Sequence, residues 1–495
     1  MTRINTNVQS LLARRAVYLN NHSLNTALER LSTGLRVNSG KDDPAGLIAS
    51  ETLRSNIRAI STAIDNAQRA DSIVSVAEGG LQEVSSLLLS LENLIDQTAN
   101  QAGLTSEEVS ANQLQIDSIL QSIDRLAEGT AFGSKKLLNG TLAFTTSGIN
   151  ITQSTGASVS HLAATQINAA KIPTGAFRNV VISVVKKSEY ALVSAVLAGT
   201  NGSGVKIGTL GKATTVQIRG IYGSETLSFA SGTSSTTIAT AINASKELTG
   251  VSATASAATG GPSSLVLQST TYGSDAFVAV SVLENLTTAF TGQAADKTDY
   301  GANGTVTING SNAVVKGLDA SVRAGALSMD VTMTTSFGGT TGSSTSFQIL
   351  GGGAVFSIAP DVGLAGQETI GLSEVSASKL GNSNVGYLST LRSGLSNDLA
   401  TKKFSGAQRI VRAAINQIAT LRGRIGSFQK DTLSSTINSL QVARENVTAA
   451  ESAIRDADFA VETSNLTRAQ ILVNASMSTL QLANAQPQSV LSLLG

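Results

Sequence analysis

The chain has 495 residues, 41% of them hydrophobic, and 35 Lys+Arg stand against 34 Asp+Glu. That balance gives no overall pull toward nucleic acid or a membrane surface. The absence of Cys excludes disulfides and thiolate metal sites, and two histidines, His22 and His161, leave little for imidazole catalysis or a zinc centre.

The length suits three or four domains. The first 25 residues lack the apolar stretch and small-residue cleavage site of a secretory leader. No apolar run reaches the ~18 residues that a membrane span requires. Neither a cleaved leader nor membrane insertion is expected.

Residues 4–35 read as one amphipathic helix. Val8, Leu12 and Leu19 begin an apolar stripe, and Leu24, Leu28, Leu31 and Leu35 continue it at 4-3-4 spacing. Gly34 marks its end. The loop VNSGKDDPAG (37–46) follows, with Asp42 and Asp43 as N-cap candidates and Pro44 at the first helical position. Lys41-Asp42-Asp43 could be imagined as an ion site, but Asp before Pro is what a helix cap requires.

The next helix is expected over about 44–100, with a heptad at Leu81, Val84, Leu88, Leu91 and Ile95 and a kink at Gly79-Gly80. A third covers about 105–127, opened by a capping box from Thr105 to Glu108 and carrying Ile116, Ile119, Ile123 and Leu126 on one face. GTAFGSKKLLNG (129–140) then breaks the pattern.

The middle, about 141–390, is rich in Ser, Thr, Gly and Val. Alternating strands are expected at 214–220, 225–229, 251–256, 264–269 and 276–282, with one helical piece at 236–248. A second β-rich unit follows at 304–311, 327–333, 346–353 and 354–358, and Gly351-Gly352-Gly353 reads as a hairpin turn rather than a ligand cradle.

Helix returns near 395. Leu433, Leu440, Val447, Ile454 and Val461 recur every seven residues, accompanied by Ala443, Ala450 and Ala457. Pro487 is expected to interrupt the last helix. After Arg468 no charged residue occurs, so Leu466, Val473, Leu480, Val490 and Leu491 lie on or beside an uncharged amphipathic stretch. Residues 1–40 hold Arg3, Arg14, Arg15, Arg30 and Arg36 against Glu29, whereas 456–495 hold Asp456, Asp458 and Glu462 against Arg468. Opposite sign favours pairing the two ends, although burial must supply most of the energy.

Catalytic readings are weak. HExxH and the GxxxxGK[ST] phosphate loop are both absent, so no catalytic, cofactor or metal residues are assigned and no enzyme activity is expected. Asn201-Gly202-Ser203 and Asn285-Leu286-Thr287 are sequons of the kind a Ser/Thr/Asn-rich chain produces by chance.

The expected fold class is α+β multidomain: long terminal α-helical coiled-coil segments enclosing a central β-rich insert of two small domains. The terminal stripes, Val8, Leu12, Leu24, Leu28, Leu31, Leu35, Leu466, Val473, Leu480, Val490 and Leu491, are read as subunit-assembly surfaces. Leu81–Ile95 and Leu433, Leu440, Val447 and Ile454 are read as core coiled coil.

The N-terminal INTN, LNTALERLSTGLRVNSGKDDPAGLIAS (24–50) and the C-terminal ESAIRDADFAVETSNLTRAQILVNASMSTLQLANAQPQSVLSLLG (451–495) resemble the bacterial flagellins. The resemblance covers roughly 1–140 and 395–495. It implies a secreted, extracellular subunit that self-polymerises into the flagellar filament, a propeller for swimming. Its implied layers are an inner tube of 1–40 and 456–495, a helical outer tube with a hairpin of 41–175, and a C-terminal core helix of 376–455. Surface domains at 176–300 and 301–375 complete them.

The implied partners are further copies of the chain, the export apparatus, a cytoplasmic chaperone on the C-terminal helices, and the filament cap and hook-junction proteins. The alternatives are a hook–filament junction protein of the same family and an adhesin displayed through the central β domains. O-glycosylation of exposed Ser or Thr in 200–345 is a family-level property for which the sequence selects no sites.

One departure from the resemblance matters. In flagellins seen by the animal innate receptor, an arginine-rich patch and a glutamate lie on the second long helix. Here Ser90, Glu92 and Asn93 occupy those positions, so the charge and hydrogen-bonding fork are lost. Weak or absent recognition is expected, and full potency of monomer in a reporter-cell assay would refute it.

Overall fold

The structure is a computed structural model that describes residues 6–100, 103–148, 150–152, 158–173, 176–197, 209–256, 264–283, 290–291, 296–383 and 385–491. The helices are α1 (Val8–Thr33), α2 (Pro44–Ala99), α3 (Ser106–Gly129), α4 (Ser235–Ala244), α5 (Lys246–Thr249), α6 (Thr335–Gly338), α7 (Phe404–Ser427), α8 (Ser435–Arg455) and α9 (Phe459–Leu491). The chain divides into two compact units. One holds 1–69, 357–362 and 432–495, and the other holds 70–356 and 363–431. Long terminal helices packed on each other enclose, in sequence, a central region of small antiparallel sheets.

In the first unit, α1 ends as expected: Gly34 at φ 72° donates its N–H back to the Arg30 carbonyl. Both aspartates of the following loop act as caps. Asp42 accepts from the Ser39 and Asn38 amides at 2.9 and 3.3 Å, and Asp43 accepts from the Gly46 amide at 2.9 Å at the start of α2. The Ser39 amide and hydroxyl, with Asn38, hold the Asp42 carboxyl below its ordinary value of 3.8. Ile60, Ala63 and Ile64 of α2 bury against Leu440 of α8, with Ala443 and Val447 packed beside them. Ile454 is half-buried and Val461 exposed, because α8 stops at Arg455 and the heptad loses phase before α9 begins. The helix α9 continues past Pro487, contrary to the expected interruption: proline removes one donor from a ladder that otherwise carries on to Leu491.

The second unit is built on a helical core. Leu81, Val84, Leu88, Leu91 and Ile95 of α2 are at most 1% exposed and meet Ile116, Leu120 and Ile123 of α3 and Ile410, Ile418 and Ile425 of α7. The expected box opens α3, with the Thr105 amide donating to Glu108 at 2.7 Å and the Glu108 amide to Thr105 at 3.3 Å. The helix α2 runs through Gly79-Gly80 without a break. Gly80 is needed for closeness rather than bending: a Cβ there would lie 2.7 Å from Thr130 Oγ1. Helix resumes at 404, not near 395, because residues 388–401 form tight turns capped by Asp398. Between α7 and α8 the chain takes a π-helical segment, Phe428–Ser434, in which Leu433 is buried.

Two β cores complete this unit. In the inner one, the antiparallel sheet Ser311–Asn312, Thr305–Ile308, Arg178–Lys186, Ser344–Gly352, Phe144–Ser147 shares buried residues with the sheet Val314–Lys316, Asp319–Ala324, Leu327–Met333, Leu162–Ala170. Leu327–Met333 alternates strictly between buried and half-buried side chains, the period of a strand with one face in the core. In the outer core, the sheet Ser224–Phe229, Thr214–Gly220, Phe277–Val282, Asp296–Tyr300 joins the sheet Val251–Ser256, Ser264–Tyr272, Tyr190–Leu197, Phe290–Thr291. Ile238, Ala239 and Ile242 of α4 cover that core. The glycine run is not the expected hairpin turn: Gly351 and Gly352 end the strand Ser344–Gly352, pairing with Thr145 and Phe144 past a register shift, and the next strand, Ala354–Ser357, pairs instead with Gln367–Ile370. Glycine is needed for close approach, since Gly352 has φ 97° and a Cβ there would strike the Ala143 carbonyl at 2.4 Å. The sequons at 201 and 285 lie outside the described residues.

Candidate functional site: the paired terminal helices

The helices α1 and α9 pack antiparallel, since Asn7 reaches the Ala483 carbonyl (2.9 Å), Asn20 the Leu472 carbonyl (3.2 Å) and Arg30 the Glu462 carboxylate (3.1 Å). Each presents a stripe at 3-4 spacing. On α1 it is Ser10, Ala13, Val17, Asn20, Leu24, Ala27 and Leu31. On α9 it is Glu462, Leu466, Ala469, Val473, Ser476, Leu480 and Ala483. Five of these fourteen are alanine or small serine at buried positions, namely Ala13, Ala27, Ala469, Ser476 and Ala483, which lets the two axes approach.

Both ends of the seam are fastened. Asn7 caps α1 by accepting from the Ser10 amide at 3.0 Å, and Ser10 donates to Asn484 at 2.7 Å. At the opposite end, Leu35 and Asp456 form an antiparallel bridge, with the Arg36 amide donating to the Arg455 carbonyl at 2.7 Å and the Ala457 amide to the Gly34 carbonyl at 2.9 Å. Glu462 is the buried charge of the seam, its side chain 8% exposed and answered by Arg30.

The sequence-predicted assembly residues separate into two sets. Leu24, Leu31, Leu466, Val473 and Leu480 lie in the intrachain seam, and Leu35 is half-buried beside it. Val8, Leu12 and Leu28 do not: they are 53%, 56% and 46% exposed. The continuous stripe expected from 4-3-4 spacing is therefore split between two faces, because seven-residue periodicity does not say which of two adjacent apolar rows a partner helix covers. Leu11, Tyr18 and Leu19 join Val8 and Leu12 on one open face of α1, whereas Leu28 lies about half a turn round the helix from it; Ile471, Leu472, Met477 and Leu482 are similarly exposed on α9. The sequence reading did not weight Ala13 and Ala27, although alanines at the same spacing were a signal on α8. The side chains of Val490 and Leu491 lie outside the described residues.

The receptor-equivalent positions are on α2 in the second unit. Ser90 is exposed and donates to the Ser86 carbonyl at 3.1 Å, Glu92 accepts from Arg412 Nε at 2.7 Å, and Asn93 is exposed. Glu92 thus spends its charge within the chain. Among the described residues no group of three His, Asp or Glu side chains could hold a metal ion, and no helix is long and apolar enough to cross a membrane.

The comparisons agree with this placement of the helices at the ends. Residues 4–143 match the bacterial flagellin N-terminal helical region, 409–494 the bacterial flagellin C-terminal helical region, and 215–271 the flagellin hook IN motif. A flagellin of Salmonella rubislaw is 30% identical over 515 aligned residues, covering 99% of both chains. Flagellin B of Vibrio cholerae is 27% identical over 495, also at 99% of both. Among solved structures, the flagellar junction protein of Legionella pneumophila is 14% identical, covers 83% of this chain and 100% of its own, and has a TM-score of 0.26. The flagellar cap protein of Escherichia coli is 17% identical over 48% of this chain and 64% of its own, with a TM-score of 0.26. With helical ends of this kind and a relative of that identity aligned along its whole length, the chain belongs to the bacterial flagellin family.

Proposed function

We propose that this chain is the structural, non-catalytic subunit of a bacterial flagellar filament, and that it polymerises through the open apolar row on its paired ends. The observation that carries the reading is the exposed set Val8, Leu11, Leu12, Leu19, Ile471, Leu472 and Leu482, left over after the seam has closed. Each keeps about half or more of its side chain in water, so covering it yields on the order of 1 kcal/mol per residue. A row of such residues is what a neighbouring copy buries, and soluble monomers rarely leave one open.

The subunit reaches an extracellular filament through the flagellar export apparatus, and the uncharged 469–495 stretch is the surface for a cytoplasmic chaperone beforehand. Cap and hook-junction proteins contact the two ends of the polymer. A hook–filament junction protein is the second reading. It would use the same open row, against a different neighbour and in few copies.

Seeded polymerisation separates the two readings. Full-length chain and a chain lacking 456–495 are added to filament seeds and imaged by electron microscopy. Long tubes from the full-length chain alone support the filament reading. Soluble, folded protein that adds a single short layer to seeds supports the junction reading.

A further inference from the structure

The outer β core leaves the inner one through residues 187–189 and returns through 301–304, two crossings side by side. A domain on such a waist would swing unless something stops it. The waist itself is tight. Ser188 Oγ donates to the Gly317 carbonyl at 2.6 Å and accepts from the Gly304 amide at 3.1 Å. Asn303 Oδ1 accepts from the Gly317 and Ser274 amides at 2.9 and 3.1 Å, and its Nδ2 donates to Ser274 Oγ at 2.9 Å. The backbones touch: a Cβ on Gly273, at φ 99°, would lie 2.6 Å from Gly317 Cα.

A second attachment lies away from that waist, on a different element. Arg409 of α7 forms an ion pair with Glu247 of α5 and sets its guanidinium 4.9 Å over the ring of Tyr222. Arginine suits this double contact because its planar head can stack on a ring while its edge bonds a carboxylate. Bonds at the waist restrict sliding and twist, and a contact off the waist removes the remaining tilt.

We propose that the outer β core is held rigidly at two points, on the inner β core at the waist and on the helical core through Arg409, the releasable strut that fixes its tilt. Arg409 and Glu247 carry partly exposed charges, so the strut is the weaker attachment and the one that salt screens. The proposal does not depend on whether the chain polymerises.

The test uses full-length monomer. The chain contains no Cys, so spin labels attach only at introduced Gln121→Cys on α3 and Thr240→Cys on α4, both exposed positions. Pulsed electron spin resonance then reads the distance distribution between them. A narrow distribution is expected in the otherwise unchanged chain. Arg409→Ala should roughly double its width without loss of helix content, as a domain released to swing would. The exchanged pair, Arg409→Glu with Glu247→Arg, should recover most of the narrowness. A broad distribution in the unchanged chain, or an Arg409→Ala distribution as narrow as the original, overturns the proposal.

Discussion

The α1–α9 seam and the α2–α3–α7 core follow the same seven-residue pattern with different residues inside. The core holds Leu81, Leu88, Leu91, Ile116 and Ile123 at 0% exposure. The seam is lined with Ala13, Ala27, Ala469 and Ser476 and leaves Leu12, Leu19 and Leu482 outside. Large residues inside close a core within one molecule. In the seam the fully buried positions are mostly small while Leu24, Leu31 and Leu466 are only half-covered, and apolar surface is left for another molecule to bury. Heptad spacing alone does not distinguish these outcomes; how completely the large inward residues are covered does.

Reversing the open row gives the largest contrast between the two regions. Leu12→Asp with Leu19→Asp should leave monomer stability within about 0.5 kcal/mol, as exposed sites do, yet abolish filament growth in the seeded assay. Normal filaments from this variant would mean that the open row is not the assembly surface. Truncating the closed core tests the other side of the comparison. Leu88→Ala should cost about 3 kcal/mol, within the range for a fully buried leucine, as read by urea unfolding of the monomer. A loss no larger than that of Leu12→Ala would erase the distinction drawn here.

A smaller effect is expected at the seam's own charge. Glu462→Gln leaves Arg30 without its anion, and the loss should be about 1–3 kcal/mol, the worth of a charged hydrogen bond. It should appear as faster amide exchange along α9 with no change in the α3 amides, and uniform exchange across both regions would contradict it.

The smallest effect is at the loop that starts α2. The Asp42 carboxyl is held below 3.8 by the Ser39 amide and hydroxyl. A depressed carboxyl contributes stability above its unfolded value and loses it as pH falls through the lower folded one. The Ser39 amide should therefore stay protected, relative to its intrinsic exchange rate, at pH 5 and lose that protection as pH drops well below 3.8. Asp42→Asn should show the lower protection already at neutral pH, and a Ser39 protection that does not change with pH would break the link.

Much of the fold could be read along the chain. The caps at Gly34, Asp43 and Thr105 were legible because each is a local contest for one or two backbone groups, settled by the nearest side chain. The heptad from Leu81 to Ile95 was legible because its period persists over two turns per repeat. Strands such as Leu162–Ala170 were not. Its residues, LAATQINAA, have little intrinsic preference for a sheet, and pairing with Leu327–Met333, more than 150 residues away, makes it one. Arg178–Lys186 differs: Val180, Val181, Ile182, Val184 and Val185 give it a strand composition, and what the chain does not show is its partners, Thr305–Ile308 and Ser344–Gly352, which both lie beyond the outer core that interrupts it.

By itself the sequence determined the helical ends, their opposite charge and the β-rich middle, each set by local composition and periodicity, while its terminal motifs carried the resemblance to the family. Tertiary structure alone decided which apolar row of α1 faces α9, where the two β cores divide, and that Arg409 reaches Tyr222 and Glu247. Those depend on which distant segments come together, and a one-dimensional pattern holds the row of residues but not the surface that covers it.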